Sequence, residues 1–371
     1  MKTPTMRSAL VLSAVALTSA LVLGCDKKEK QRDSEGESAS DAGTSKANQV
    51  AADEPDLAKA MGSVAAARAS AGANAAGGPP PTGIFGPGEA DKALAKGAPI
   101  AVTLGSDGTE PRVTLGSAPK PGLKRTGTVE LATQSDPQQP PIPIQFGISL
   151  ETLKPKTEGD AKPKEGETAA TTTVVVKVTG AKINIPGVPP ETNPVGKLKG
   201  SRIEYQVGAD GSTTNLRTEI PKGVEPGMKD PIQALSDLLL NVALPYPSKP
   251  IGLGGYWMVT SRDVIMGLDV VTYRLVKVEK IEGTQVTLSV NTKRYAASPA
   301  FELEGLPPDA PRTMGEFRSL GEGTITIAAG EALPKEGDLQ SLIGATLGSL
   351  EAKQRLGVQV QTRAKFTLGA P

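Results

Sequence analysis

The sequence predicts a mainly β, α+β fold: a large curved antiparallel sheet or half-barrel, with two amphipathic helices laid against its concave side. Three observations carry that reading. Apolar and polar residues alternate over several short segments, turn residues stand where hairpins need them, and two longer segments repeat apolar residues at helical spacing.

Taken in order, Ile144, Phe146, Ile148 and Leu150 alternate with Gln145, Gly147, Ser149 and Glu151. Ile203, Tyr205 and Val207 alternate with Arg202, Glu204 and Gln206, and Val286, Leu288 and Val290 with Gln285, Thr287 and Ser289. The longest run is Val358, Val360, Thr362, Ala364, Phe366 and Leu368. Period two with one apolar face means strands with one packed and one wet side. Thr126–Thr133, Thr171–Thr179, Asp269–Glu279 and Gly323–Ala328 are further strand candidates, with Asp210-Gly211 and Glu282-Gly283 as hairpin turns.

The first expected helix is Asp230–Ala243, with Asp230 as N-cap, Pro231 at the first helical position and a stripe of Ile232, Leu235, Leu238, Leu239 and Val242. The second is Asp338–Arg355, with Leu339, Leu342, Ile343, Leu347 and Leu350 behind an Asp338 cap. Pro155–Gly166, Gly187–Gly200 and Leu306–Arg312 read as loops at the rim. The order of strands, helix, strands, helix is compatible with two similar halves, 97–245 and 246–371, although no strong internal repeat is visible.

The amino terminus has a different character. Lys2 and Arg7 precede an uncharged run of 16 residues, Ser8–Leu23. That is short for a bilayer span, which needs about 20 apolar residues, and suits the apolar region of a signal peptide. Leu21-Val22-Leu23-Gly24-Cys25, followed by Asp26-Lys27-Lys28, resembles the lipobox of bacterial lipoproteins. Val22 stands where Leu is usual and Leu23 where a small residue is commoner. The resemblance implies a signal peptide over 1–24, cleavage after Gly24 and acyl chains, such as palmitate, on Cys25. At about 0.8 kcal/mol per buried methylene, two or three chains anchor almost irreversibly. Residues 25–96, dense in charged residues, Gly, Ala and Pro, then read as a disordered tether. About 70 such residues have a root-mean-square span of roughly 45 Å. The β-rich body is expected over 97–371.

Composition excludes much chemistry. The chain has 371 residues, no histidine and one cysteine. That removes Ser–His–Asp and Cys–His catalysis, His- or Cys-based zinc sites and an intrachain disulfide. Without Lys2 and Arg7, 39 basic groups face 40 acidic ones, so no basic face is expected to attract nucleic acid. Neither cofactor nor metal is expected.

The remaining candidates have structural readings beside the chemical ones. Gly252, Gly254 and Gly255 are clustered, yet they follow a helix and precede a strand, the reverse of a phosphate loop. Glu302 and Glu304 share a strand face, which a carboxylate-dependent hydrolase could use. However, the chain has few aromatics for a sugar platform, with Trp 1, Tyr 5 and Phe 5. Trp257 could line a groove with Tyr246, Tyr256 and Tyr273, or anchor the core where the helix joins the sheet.

Leu244-Pro245 followed by Pro250-Ile251-Gly252-Leu253-Gly254-Gly255-Tyr256-Trp257, together with Gly108-Thr109-Glu110-Pro111-Arg112, resembles a family of uncharacterised Gram-negative lipoproteins with a domain of unknown function. The resemblance spans roughly residues 100 to 371 and implies a β-rich extracytoplasmic body, with no activity or site residues to carry over. The function expected is that of a non-enzymatic envelope protein, held to an inner or outer membrane through Cys25. Its body, in the periplasm or at the surface, would bind a hydrophobic ligand or a protein partner in or near the helix-covered concave sheet. A structural or assembly lipoprotein without a cavity is the alternative, and a carboxylate hydrolase a remote one.

Overall fold

The structure, a computed structural model, describes residues 80–369 apart from 117–118, 136–137, 139, 154–170, 184–192, 226–227, 266, 302–311, 332 and 349–354. The expected signal peptide, Cys25 and the expected tether up to residue 79 lie outside the described residues, as do Glu302 and Glu304.

Among the described residues there are fourteen strands: β1 Ala101–Ser106, β2 Thr109–Val113, β3 Lys124–Gln134, β4 Ile142–Leu153, β5 Thr172–Ile183, β6 Arg202–Val207, β7 Thr213–Glu219, β8 Ile251–Leu253, β9 Tyr256–Ile265, β10 Leu268–Glu282, β11 Gln285–Ala296, β12 Met314–Ala328, β13 Glu336–Leu347 and β14 Leu356–Gly369. Two α-helices accompany them, α1 Glu89–Ala93 and α2 Asp230–Val242. Twelve strands form one sheet in the order β1-β9-β10-β11-β12-β13-β14-β3-β4-β5-β6-β7, and β2 pairs with β8 in a separate ribbon. Every ladder is antiparallel, and the sheet is not closed into a barrel.

Two meanders, β9 to β14 and β3 to β7, are therefore sewn together along β14 and β3, so the expected halves make one continuous sheet. The inner faces of both contribute to one core: Val129, Phe146, Val176 and Ile203 from one arm join Trp257, Val278, Leu288 and Ile325 from the other. Helix α2 lies in that curve. Its stripe Ile232, Leu235, Leu238, Leu239 and Val242 is buried, as its spacing requires. The helix begins at Asp230 with Lys229 before it, and no side chain caps its first turn. Part of the loop expected at 187–200 is also ordered: Pro194–Leu198 forms a 3-10 turn that buries Val195 and Leu198.

The second expected helix, Asp338–Arg355, is instead strand β13 as far as Leu347, while 349–354 lie outside the described residues. Its partners on both sides decide this: Ile343 stands opposite Ser319 on β12 and Val360 on β14. A helix there would leave both neighbouring ladders without partners. The helical spacing of its apolar residues arises because Leu342 faces away from the core while Leu339 and Ile343 face in.

The second correction concerns 80–96, expected to be part of the tether. The direct β11–β12 ladder stops at Lys293 opposite Leu320, although both strands continue. Residues 82–85 enter the gap between them. Phe85 N–H donates to the Ala296 carbonyl (2.9 Å), Ala296 N–H to the Gly83 carbonyl (2.9 Å) and Phe317 N–H to the Thr82 carbonyl (2.9 Å). Ile84 then packs with Val270 and Phe317, while Phe85, Ala90 and Ala93 cover Val271 and Tyr295 on the outer face. A composition poor in large apolar residues hid this, because Ile84 and Phe85 suffice when a sheet supplies the rest of the contact.

Arg262 fastens the strap formed by 80–96. It makes two hydrogen bonds to the Asp269 carboxylate (2.9 and 3.1 Å), one to Asp91 (2.6 Å) and one to the Leu94 carbonyl (2.9 Å). Hydrogen bonding from Arg262 holds the Asp269 carboxyl below its ordinary range. A depressed carboxyl contributes stability above its unfolded pKa, near 4, and that contribution is lost as pH falls through the folded value. Melting temperatures of wild type and Asp269→Asn are therefore expected to differ at neutral pH and to converge as pH falls below about 4.

Candidate functional site

The inner face is filled beneath α2. The void between Leu238, Leu239 and Val242 on the helix and Val129, Ile148 and Phe366 on the sheet is about 10 Å³. That is about one water's worth of probe space, so no ligand chain fits under the helix as it lies.

Beside the helix the same face changes character. One transverse row runs Val270, Ala296, Phe317, Ala345 and Val358, with Ile84 of the strap between Ala296 and Phe317, and the next runs Thr272, Arg294, Ser319, Ile343 and Val360. The members of both rows on β10, β11 and β12 are buried. Ala345, Val358, Ile343 and Val360, on β13 and β14, are only half-buried. Ile142, 48% exposed, stands at the β3–β4 end of the neighbouring row, beyond Ser341, Thr362 and Thr133. The result is an apolar strip that solvent reaches along the open side of the curve.

The polar edge of α2 borders this strip. Asn241 and Asp237, one turn apart, meet two arginines on the sheet. Arg274 and Arg294 are 7% and 6% exposed. Arg274 donates to the Asn241 carbonyl (3.3 Å); Arg294 donates to the Asn241 side-chain oxygen (3.4 Å) and to Ser319 Oγ (3.4 Å). Both Nε atoms are buried without a partner among the described residues. Burial pushes the Arg274 guanidinium down to about 10, with the like charge of Arg294 adding to the shift and Asp263 opposing it. Burial lowers Arg294 as well, against the pull of Asp237 and Asp263, while desolvation raises Asp237. No carboxylate among the described residues forms an ion pair with either arginine. The sequence held one sign of this: Arg274 is in phase with Val270, Val276 and Val278, the inward residues of β10.

The glycine cluster is structural. Gly252 N–H donates to the Asp107 carbonyl (2.8 Å), and Thr109 and Val113 pair with Leu253 and Ile251. A Cβ on Gly252 would lie 1.7 Å from the Thr109 carbonyl oxygen. The two segments that carry the family resemblance, far apart in sequence, are thus one corner in which backbone crosses backbone. Arg112 braces it with an ion pair to Asp107 (2.9 Å) and a hydrogen bond to the Gly108 carbonyl (3.1 Å). Trp257 is core: it is fully buried, and its Nε1–H donates to the Pro245 carbonyl (2.9 Å). On the outer face a shallow polar groove of about 440 Å³ runs past Glu322, Asp338, Gln340 and Arg363. Its charges are already engaged, Arg363 with Asp338 and Gln340 with Glu322.

No protein-family model matches the chain, and no curated protein matches it. Among solved structures it is similar to lipovitellin, described for its lipid–protein interactions, with 10% identity over 68% of this chain and a TM-score of 0.38. The chain spans only 26% of the length of that protein. LpxR from Salmonella typhimurium (10% identity, 65% of this chain, 99% of that one, TM-score 0.15) and CghA with Sch210972 (10%, 71%, 98%, 0.13) are more remote in shape.

Proposed function

We propose that the chain is a non-enzymatic, lipid-anchored envelope protein that binds an elongated hydrophobic ligand on the open part of its inner sheet face, beside α2. One observation carries the reading. The inward rows of the sheet are buried over β10 to β12 and only half-buried over β13 and β14, where their members Ile343, Ala345, Val358 and Val360 are all apolar. A soluble body does not gain by leaving such a strip wet, and an apolar chain laid along it would recover roughly 0.8 kcal/mol per methylene. Beneath the helix, the alternative seat, the void is too small. The anchor at Cys25 enters through the lipobox resemblance, and the absence of histidine and of a second thiol supports a binding role over catalysis.

The test is titration of the full chain, held in amphipol, with a neutral naphthylamine fluorophore whose emission rises in apolar surroundings. Saturable binding is expected, weakened at least tenfold in Ile343→Arg and in Val360→Arg, because a charge would sit in the seat. Both variants are expected to keep the wild-type melting temperature within a few degrees, since the positions are half-exposed. Equal binding by wild type and both variants, or no saturable binding at all, overturns the proposal.

A further inference from the structure

Among the described residues, the buried arginines are the charged groups of the inner face whose donors are left partly unsatisfied. Arg274 stands opposite Thr292 and Arg294 opposite Thr272 on the paired strands β10 and β11. The two are therefore diagonal neighbours on the same face, with Cβ atoms within about 8 Å. Their three hydrogen bonds are 3.3–3.4 Å long, where charge-assisted contacts normally run about 2.7–2.9 Å. Each Nε has no partner among the described residues.

A structural role explains part of this. Helix α2 has no basic residue in its last turn, and Arg274 reaches the Asn241 carbonyl near its carboxyl end. A cation there is worth about 0.3–1 kcal/mol, at most about 2 in partly buried geometry. Burying a charge without close pairing costs several kcal/mol per ion, and here two like charges are buried together. Helix capping does not balance that cost. The carboxylates that influence the pair, Asp237 and Asp263, make no ion pair with it, and Asp263 is exposed. Both guanidiniums reach the same residue, Asn241, and a pair of forked donors so close together suits a carboxylate or phosphate.

Position says what carries the anion. Ser319, which takes the hydrogen bond from Arg294, is opposite Ile343, and Ile343 is opposite Val360. The arginine pair thus sits at the closed end of the apolar strip. We propose that Arg274 and Arg294 form a headgroup site, and that the ligand of this protein is an anionic amphiphile whose carboxylate or phosphate lies against the two guanidiniums while its acyl chain runs over Ile343 and Val360. This rests on the strip being a ligand seat. The headgroup replaces the long contacts to Asn241 and Ser319, and the chain leaves along the open side.

The experiment displaces the naphthylamine fluorophore from the full chain with oleate, oleyl phosphate and oleyl alcohol, which share a chain and differ in charge; inorganic phosphate serves as a chainless control. Oleate and oleyl phosphate are expected to displace it at concentrations at least tenfold below oleyl alcohol. Preference for one of the two separates a carboxylate from a phosphate headgroup. Inorganic phosphate alone is expected not to displace the fluorophore. In Arg294→Gln the advantage of the anions over oleyl alcohol is expected to vanish. Because the first comparison uses wild type, a poorly folding variant does not protect the proposal. Equal competition by charged and neutral chains in wild type overturns the headgroup site and leaves the apolar seat standing. If the fluorophore does not bind at all, the seat itself is absent.

Discussion

Gly83→Ala is expected to destabilise the protein by about 3 kcal/mol or more, a large effect for one methyl group. The residue has φ of 75°. An added Cβ would lie 1.7 Å from the backbone carbonyl oxygen of Phe317, an atom held in the sheet. Relief requires residues 82–85 to move out of the gap between β11 and β12. Three backbone hydrogen bonds and the packing of Ile84 and Phe85 would go with them. Gly88→Ala is the control. Its φ is 74°, but nothing lies within 4 Å of its Cβ, so it carries the conformational cost of about 1–2 kcal/mol alone. Urea denaturation of the two variants separates the terms. Equal losses in both would mean that the strap does not occupy the sheet. The same contacts predict that a chain beginning at residue 97 is less stable than one beginning at residue 80.

Trp257→Ala is expected to cost about 3–5 kcal/mol. The indole is fully buried between the arms of the sheet, with its ring centroid 6.3 Å from that of Tyr246. It also satisfies the Pro245 carbonyl in the segment that leads from α2 to β8. Trp257→Phe keeps a ring and leaves that carbonyl without its donor, so an intermediate loss of about 1–3 kcal/mol is expected. Far-UV circular dichroism during denaturation measures both, since Trp257 is the sole tryptophan and fluorescence vanishes with it. If Trp257→Ala unfolds with the wild-type midpoint, the helix and the sheet are not packed through this residue.

Both effects act on how the inner face is held, which is where the proposed function resides. The strap closes the gap at one end of β11 and β12, next to Ala296 and Phe317, whose row leads on to the open strip. Trp257 holds the connection that returns the chain from α2 to the sheet. Neither residue lines the strip, so at temperatures where these variants remain folded the naphthylamine affinity is expected to stay near wild type.

Local pattern alone specified the β-rich class, most strand centres, helix α2 and its buried stripe, and the inward-facing phase of Phe146, Ile148, Phe366 and Leu368. Those features depend on residues two, three or four apart, and a linear pattern records such spacings directly. Tertiary contacts decided the rest. β13 shows helical spacing but is a strand, because the backbone groups of β12 and β14 on either side need a partner. Residues 80–96 resemble in composition the segment that precedes them, yet are ordered by a gap that exists only once β11 and β12 diverge. The glycines of the two distinctive motifs explain each other only when β2 meets β8. The candidate site has the same origin. Arg274 and Arg294 look like ordinary strand arginines in sequence, and Ile343 and Val360 like ordinary core. Which inward positions are covered, and which remain open beside α2, depends on where the helix comes to rest across the curve, and no spacing within the chain encodes that.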